Sequence, residues 1–396
     1  MDHEDFKSLD EQVISKGLCT ACGACVGACP VNCIAWDEDA EAPVLAGECK
    51  SCGLCASVCP GEQVPLGELE KRFFGRERTP REEYLGVCRQ VLRGYARDGT
   101  IRESAASGGV TTALLLWALD KGIIDAAVVA GMDRQRPWCT KPILARTPEE
   151  IIAAVGSKYQ ICPSLCALDQ AGPSERLAVV GLACHMHAVR KLMASKLGGK
   201  WNERIVFTVG VFCAANTSRK VTEHVIQEMS DFALEDLASL SYRGGKGSQD
   251  MVIRAKDGSE TTVPNPTRLN IYYWMMRDRC RVCPDWTAEL ADISTGDIFQ
   301  PTDTGAWKKT PQWNGFMVRS QKGEDIVTAA QKDAAIACWP LDPKVMYGNI
   351  GFEAKKHGAM YNLIQRKRFG WPFPDFGLEP SFKARRRLPH AVDLSE

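Results

Sequence analysis

The 396-residue chain has no excess of charge of either sign, because 49 lysines and arginines balance 49 aspartates and glutamates. That balance argues against a broad nucleic-acid-binding surface, which needs clustered positive charge. No apolar run approaches the ~20 residues of a membrane-spanning helix, so no transmembrane segment is expected. The first residues, MDHEDFKSLDEQ, lack the basic and apolar regions of a secretory signal. We therefore expect a cytoplasmic protein that keeps its thiols reduced.

Several catalytic signatures are also missing. The sequence has no HExxH motif, no P-loop and no recognisable Ser–His–Asp set, so hydrolytic and nucleoside-triphosphate chemistries have no support. No G-x-G-x-x-G follows a predicted strand, so a conventional NAD-binding Rossmann unit is not expected. What the chain has instead is cysteine, with 18 residues that are concentrated near its N-terminus.

Residues 17–60 contain an internal repeat, and each half has the pattern C-x2-C-x2-C-x3-C-P. Three thiolates at this spacing wrap one four-iron cluster, and the fourth cysteine of each half normally reaches the other cluster. Zinc is the alternative, since it also uses C-x2-C pairs, but a third cysteine at the same spacing followed by Cys-Pro favours iron–sulfur. The repeat resembles the two-cluster bacterial ferredoxins. The predicted ligands are Cys19, Cys22, Cys25 and Cys59 for the first 4Fe–4S cluster, and Cys49, Cys52, Cys55 and Cys29 for the second.

From about residue 100 the sequence alternates between helical and strand patterns. This order favours an α/β domain with a mainly parallel sheet covered by helices. A hairpin is predicted around Asp257-Gly258. The predicted elements are helices over Val110–Lys121, Glu149–Val155 and His187–Lys196, and strands over Ile123–Ala130, Arg176–Leu182 and Arg204–Phe212. The predicted domains are a ferredoxin-like module (1–65), a charged linker (66–100), the α/β domain (101–370) and a C-terminal tail (371–396) that wraps the surface or docks a partner.

Four further cysteines are candidates for a third cluster. Cys184 and Cys213 each follow a predicted parallel strand, where α/β folds place their ligands. Cys280 and Cys283 form another C-x2-C in a polar loop. Four thiolates suffice for one more 4Fe–4S cluster, although buried structural cysteine is the usual alternative for a lone residue. The cysteines without an assigned role are Cys33, Cys88, Cys139, Cys162, Cys166 and Cys338.

Two polar turns are candidate cofactor-binding segments. Ser107-Gly108-Gly109 precedes a predicted helix, where glycine allows close backbone approach and free N–H groups attract an anion. A simple turn is the alternative. Gly156-Ser157-Lys158-Tyr159 is a similar turn, whose lysine is either solvated or faces a cofactor.

Ordered blocks over roughly residues 85–370 resemble the family of flavoprotein β subunits of coenzyme F420 hydrogenases and dehydrogenases. The blocks are ESAASGGVTTALLLWALDKGIIDAAVV, GSKYQ, LAVVGLACHMHAVRKL, VGVFC and CRVCPDWTAELADISTGD. Members include β subunits of F420-reducing hydrogenase and formate dehydrogenase, and chlorophyll-pathway reductases. The resemblance implies non-covalent FAD, one or more 4Fe–4S clusters near it, and an N-terminal ferredoxin insert in several members.

Carried onto this chain, the resemblance assigns roles to individual residues. Lys158 would tune the flavin potential. His185 and His187 would be proton donors, or else hydrogen-bonded residues at a helix start. Ala183 and His185 depart from the Pro and Gln that many members have around the cysteine, which puts the local environment of Cys184 in doubt. The implied flavin-binding residues are Ser107, Gly108, Gly109, Thr111, Gly156, Ser157, Lys158 and Tyr159, and the implied inner-cluster ligands are Cys184, Cys213, Cys280 and Cys283.

The predicted function follows from combining a flavin with one-electron clusters, because a flavin accepts electrons in pairs and releases them singly. We expect an oxidoreductase subunit that moves electrons between 4Fe–4S clusters and a two-electron carrier such as coenzyme F420. Other redox subunits or soluble ferredoxin would be its partners. One alternative is a pure electron-transfer adaptor within a larger complex. Another is a ferredoxin-dependent reductase of an organic double bond.

Overall fold

The computed structural model describes residues 5–244, 246, 248–301, 307–347 and 352–378. None of the helices in these ranges is long and apolar enough to span a bilayer. The strands are β1 (Ile34–Asp37), β2 (Ala42–Leu45), β3 (Gln90–Ala96), β4 (Ala126–Met132), β5 (Thr140–Ala145), β6 (Leu177–Gly181), β7 (Ile205–Val211), β8 (Leu237–Ser241), β9 (Met251–Ala255), β10 (Glu260–Val263), β11 (Ile293–Pro301), β12 (Trp307–Val318) and β13 (Ile336–Pro340). The helices are α1 (Phe6–Leu9), α2 (Ala24–Gly27), α3 (Leu54–Val58), α4 (Leu66–Phe74), α5 (Gly99–Ser104), α6 (Val110–Asp120), α7 (Pro148–Ala153), α8 (Ala183–Ala194), α9 (Lys200–Arg204), α10 (Arg219–Met229), α11 (Asn265–Trp274), α12 (Asp278–Arg281), α13 (Gln321–Lys332), α14 (Pro343–Tyr347) and α15 (Phe352–Phe369).

An eight-stranded mixed sheet forms the centre of the α/β domain, in the order β13-β3-β12-β11-β7-β6-β4-β5. The neighbours β11, β7, β6 and β4 are parallel, whereas the other four pairings are antiparallel. The prediction of a mainly parallel sheet was therefore wrong. Short connections after β4 and β11 return the chain beside the strand that it has just left, and such connections permit only antiparallel pairing.

Helices cover both faces of this sheet. In β4, Ala126 and Val128 pack into the cluster that includes α8, while Ala127 and Val129 pack into the cluster that includes α6. Because both faces are buried, the parallel strands have continuous apolar sequences rather than alternating ones. The predicted helices and strands of this region are confirmed, with ends that shift by up to four residues.

The charged segment expected to be a linker, residues 66–100, is instead built into the core. Its first part forms α4, and its last part forms β3, which pairs with β12 and β13 inside the sheet. Two of its charges are paired inside the fold: Arg78 lies 2.6 Å from Glu70 and 2.5 Å from Glu289. Charge that is paired inside the fold looks the same in a sequence as charge that is solvated.

The C-terminal part of the described chain also packs against the core. Met360 and Leu363 of α15, together with Phe376, are buried in the cluster that contains α8. The backbone of Asp375 exchanges hydrogen bonds of 2.7 Å with Glu62 and Val64, next to the cysteine repeat. The predicted tail therefore begins as a surface wrap, and its residues 379–396 lie outside the described ranges.

A second, smaller sheet lies beside the large one. It has the order β10-β9-β8, with α10 and α11 packed in the same cluster. The hairpin predicted around Asp257-Gly258 is confirmed, and Gly258 has the positive φ of 89° that its turn requires.

The cysteine repeat packs closely against the α/β domain. The amide of Leu165 donates to the carbonyl of Cys22 at 3.0 Å. A methyl group added to Gly27 would lie 1.9 Å from the carbonyl oxygen of Leu165, so only glycine allows this approach of α2.

Gly27→Ala is expected to destabilise the protein by about 1–3 kcal/mol, because overpacking at this contact forces the backbones apart. The measurement is the thermal unfolding midpoint of the anaerobically purified chain, which should fall. Gly358→Ala is the matched control, since nothing lies within 4 Å of its added methyl. Equal midpoints for the two variants would contradict the packing described here.

Candidate functional site

The two halves of the cysteine repeat have the same backbone geometry. Left-handed residues occur at equivalent places, at Ala21 and Gly23 (φ 56° and 82°) and at Ser51 and Gly53 (φ 49° and 73°). In each half, the amide two residues after the first cysteine donates to that cysteine's sulfur at 3.4 Å. Such N–H···S bonds stabilise a negatively charged cluster and affect its potential. Each half therefore positions the sulfur of its first cysteine with the same backbone conformation and the same N–H···S bond.

The first set of predicted ligands lines one cavity. Cys19, Cys22, Cys25 and Cys59 all face this cavity, together with apolar residues such as Val13. Burial raises the pKa of Cys25 well above its ordinary value, and the neighbouring thiols of Cys59, Cys22 and Cys19 raise it further. The fourth cysteine of the second half thus lies among the first three thiols of the first half, as the assignment requires.

The second set shows the reciprocal arrangement. Burial raises the pKa of Cys55 to about 11, and the neighbouring thiols of Cys49, Cys52 and Cys29 add to that rise. Cys33 is buried, with its sulfur 3.5 Å from that of Cys29. Cys33 therefore lies beside the second set and is not one of its four predicted ligands.

The fold brings the four remaining candidates together. Cys184 is in the first turn of α8, Cys213 follows β7, and Cys280 and Cys283 lie in and just after α12. Burial raises the pKa of Cys184, and the thiols of Cys22, Cys213, Cys283 and Cys280 raise it further. This inner set therefore adjoins the first set through Cys22.

The three sets fit clusters by their number of thiols, by their grouping and by the cavity at the first set. Within the described ranges, no group of three or more His, Cys, Asp or Glu side chains converges on a position for one metal ion. The choice between zinc and a four-iron cluster rests instead on the spacing of the thiols, which is that of four-iron cluster ligands.

Three cations, Lys191, Arg277 and Arg279, donate to backbone carbonyls at the first set and form what we call the cationic seam. Lys191 donates to the carbonyl of Cys59, Arg277 to that of Cys19 at 3.2 Å, and Arg279 to that of Pro60 at 3.0 Å. Burial raises the pKa of Cys283, whereas Lys355 and Arg279 lower it, so Arg279 acts on both sets. Positive charge here stabilises the reduced form of a cluster.

Lys355 is a buried cation beside the inner set. Its ammonium donates to the backbone carbonyls of Cys213 and Asp285. Although burial opposes it, the thiols of Cys283, Cys213 and Cys280 raise the pKa of Lys355. The inner set is therefore held against a permanent positive charge.

The two predicted flavin turns are connected by an ion cluster that the sequence analysis missed. Arg243 makes two hydrogen bonds to Tyr159 and two contacts of 2.9 Å to Asp297, which accepts from Ser107. Lys309 lies 3.1 Å from the same carboxylate. Although burial opposes it, Arg243 and Lys309 lower the pKa of Asp297 to about 2. Of the three newly found residues, Arg243, Lys309 and Asp297, only Asp297 lies in a sequence block that carried the family resemblance, as the last residue of STGD.

The other predicted residues in and after the first turn contact β3, β11 and β12 of the large sheet. Gly108 needs to be glycine, because an added methyl would lie 2.7 Å from backbone atoms of Gly94 and Asn314. Gly109 has a φ of 77° and begins α6, whose first amide donates to the Asn314 side chain at 3.1 Å. Thr111 pairs with Thr295 at 2.8 Å.

The predicted catalytic residues Lys158 and His185 have structural partners. Lys158 donates to the carbonyls of Ala154, Val155 and Gly156 at the end of α7, and burial lowers its pKa to about 8. Gly156 has a φ of 92°, and Ser157 separates it from Lys158. His185 accepts from the Leu182 amide and bonds the carbonyl of Cys162, while burial lowers its pKa to about 4. The geometry favours the helix-start role for His185.

His187 forms a buried pair with Asp285, 2.8 Å away. Burial opposes ionisation of Asp285, yet the hydrogen bond from His187 lowers the pKa of that carboxyl. Because Asp285 follows the C-x2-C, this pair anchors the inner-set loop to α8.

Asn216 and Thr217, which follow β7, connect the inner set with the flavin turn. The sulfur of Cys280 donates to the carbonyl of Asn216 at 3.8 Å, and the hydroxyl of Thr217 donates to the carbonyl of Tyr159 at 2.6 Å. The two candidate sites are therefore joined through adjacent residues of one loop. Nothing in the sequence distinguishes these two residues from others.

Family models match most of the chain in three consecutive segments. A 4Fe-4S dicluster domain matches residues 18–63. The N-terminal and C-terminal parts of the coenzyme F420 hydrogenase/dehydrogenase beta subunit match residues 91–169 and 174–344. The chain belongs to this family of beta subunits. The resemblance identified from the sequence is confirmed, and the chain is an iron–sulfur oxidoreductase subunit related to these proteins.

Individual relatives agree with the family assignment. The coenzyme F420 hydrogenase subunit beta of Methanosarcina barkeri is 30% identical over 66% of this chain and 85% of its own length. An F(420)H(2) dehydrogenase subunit of Methanosarcina mazei is 27% identical over 88% of this chain and 92% of its own length. A chain of the F420-reducing NiFe hydrogenase complex from Methanosarcina barkeri is 29% identical with a TM-score of 0.59, over 74% of this chain and 96% of that one.

For this family member, Arg279→Gln is expected to lower the reduction potential of the cluster held by the first set. Removing one charge about 10 Å away at an effective dielectric constant of about 20 costs about 1.7 kcal/mol, or roughly 70 mV for one electron. The measurement is an anaerobic redox titration followed by electron paramagnetic resonance. Arg281→Gln, on the same helix but exposed and 3.7 Å from Asp278, is the control and should shift the potential much less. Equal shifts in both variants would contradict a specific role for the seam.

Proposed function

We propose that the chain is an FAD- and iron–sulfur-dependent oxidoreductase subunit that moves electrons between 4Fe–4S clusters and a two-electron carrier such as coenzyme F420. The supporting observation is the continuous order of candidate sites. Cys184 neighbours Cys22 on one side and the inner thiols on the other. The adjacent residues Asn216 and Thr217 bond to Cys280 of the inner set and to Tyr159 of the flavin turn, respectively. Clusters at the thiol sets would therefore lead to a flavin at the turns.

When bound, FAD would supply the conversion between paired and single electrons. The chain's own residues would hold and orient it. Gly108 and Gly109 would let the backbone approach, and Ser107 and Thr111 would offer hydroxyl groups. Arg243 would fix Tyr159 against Asp297, so that both turns keep one geometry.

The clusters would have separate tasks. The inner set would exchange electrons with the flavin, and the first and second sets would carry them towards a partner. Among the relatives, one is a subunit of a hydrogenase and another a subunit of a dehydrogenase, which supports a partner of the redox-subunit type. A soluble ferredoxin would serve the same role.

Cofactor content tests this proposal directly. Anaerobically purified protein is expected to contain about 12 iron atoms in three cysteine-ligated four-iron clusters and one FAD. Cys184→Ser should reduce the iron content to about eight atoms, because the inner set loses a ligand. Cys338→Ser is the control, since this buried cysteine of β13 belongs to none of the sets. About eight iron atoms in the unaltered protein would remove the inner cluster.

Carrier specificity requires a second experiment. Adding reduced coenzyme F420 under anaerobic conditions is expected to bleach the flavin absorbance and then the cluster absorbance. In Cys184→Ser the flavin should still bleach, while the clusters should be reduced at least ~100-fold more slowly, because the connecting cluster is missing. Absence of flavin would instead favour the adaptor function. Turnover of an unsaturated compound with reduced ferredoxin would favour the reductase.

A further inference from the structure

Arg268 is a fully buried arginine with unused hydrogen-bond donors. Its relative exposure is 0%, although arginine is rarely buried without a partner. One terminal nitrogen donates to the side chain of Asn265 and, at 3.4 Å, to the carbonyl of Gln249. The Nε and the other terminal nitrogen have no partner in the part of the chain that the structure describes.

Within the described ranges, the guanidinium also has no carboxylate partner. Across the described ranges, no carboxylate oxygen lies within 4.0 Å of it, and Asp250 instead accepts from the amide of Asn265 at 2.9 Å. Its contacts are aromatic: it lies 4.4 Å from the ring centre of Tyr159 and 5.8 Å from that of Tyr272. Aromatic faces attract a cation, but they leave its N–H groups unsatisfied. An anion would satisfy both the charge and the free donors.

The surroundings of Arg268 have an excess of positive charge. Tyr159 is contacted on its ring by Arg268 and on its hydroxyl by Arg243. Arg243 and Lys309 share a single carboxylate, that of Asp297. In the part of the chain that the structure describes, Arg268 therefore has two cationic neighbours around Tyr159 and Asp297, which favours an anionic ligand.

We propose that Arg268 binds a phosphoryl group of a redox coenzyme beside Tyr159. The forked donors of arginine match phosphate oxygens in a way that a lysine ammonium does not. The anion site itself stands on the unpaired guanidinium, while the coenzyme's identity rests on the proposed function. The shared chemistry has two sources, the diphosphate of FAD and the phosphodiester of coenzyme F420.

The anion site is tested with inorganic pyrophosphate and the full-length protein, clusters intact and flavin removed anaerobically. Millimolar pyrophosphate should raise the thermal unfolding midpoint of the unaltered protein. Arg268→Met should lose that shift, while its ligand-free midpoint stays equal or rises because an unpaired buried charge is gone. Arg254→Met is the control: it removes an exposed arginine of β9, paired with Glu260 at 2.6 Å, and should keep the shift.

Two outcomes overturn the proposal. One is that pyrophosphate fails to stabilise the unaltered protein, and the other is that Arg268→Met keeps the full shift. Arg268→Lys is the second variant, for the case in which the methionine variant does not fold. It keeps the positive charge but loses the forked donors of the guanidinium. It should therefore bind pyrophosphate at least ~10-fold more weakly than the unaltered protein.

The source of the phosphate is distinguished by two further readouts on the flavin-loaded protein. If FAD is the source, Arg268→Lys should raise the FAD dissociation constant at least ~10-fold with the KM for reduced coenzyme F420 unchanged. If the carrier is the source, that KM should rise while the flavin content stays the same. Absence of flavin and of carrier turnover in the unaltered protein would refute the proposed function, yet the pyrophosphate experiment would still decide the anion site.

Discussion

A guanidinium that leaves water loses several kcal/mol of hydration unless an anion or a set of acceptors replaces the lost contacts. Arg268 and Arg279 are buried and Arg277 is half-buried, and in the described ranges none of them forms an ion pair with a carboxylate. Arg277 and Arg279 face the loops of the cysteine sets, and Arg268 faces the flavin turn. Arg319 is also fully buried without a carboxylate, but carbonyls and hydroxyls satisfy its donors, whereas Arg268, Arg277 and Arg279 each keep a nitrogen without a partner in the described ranges and lie where negatively charged cofactors are proposed.

The ionic network behind the inner set shows the opposite pattern. Arg78 bridges Glu70 and Glu289, and Lys356 lies 2.6 Å from Glu289, so each buried charge has an opposite partner. This network joins α4, the loop after the C-x2-C and α15 without a ligand. A buried pair that is complete within the chain can hold the frame, whereas an incomplete one depends on something added. The comparison distinguishes charges that are paired within the chain from charges that lie beside the proposed cofactor sites.

The parts of the fold and site that could be predicted are those with a local signal. The spacing of Cys19 to Cys59 predicts which thiols group together, because a turn of backbone fixes the distance between neighbours. The linker was mispredicted because Glu70 and Arg78 find their partners only through tertiary contacts. Arg243 and Arg268 were missed for the same reason: their roles depend on Tyr159, which is more than 80 residues away along the chain. The prediction of a mainly parallel sheet was wrong because four of its pairings are antiparallel.

The two halves of the repeat are alike in backbone but different in surroundings, and that difference orders the proposed electron path. Cys22 of the first half is buried and neighbours Cys184, whereas its counterpart in the second half, Cys52, is exposed. Electron transfer weakens steeply with distance, so a cluster that faces outward is suited to a protein partner and a buried one to an internal neighbour. The cationic seam contacts the backbone of Cys19, Cys59 and Pro60 at the first set, and it would raise the potential of the cluster held there relative to the outer one. Electrons entering at the outer set would then move inward energetically downhill, and electrons leaving through it would need a donor of lower potential at the flavin.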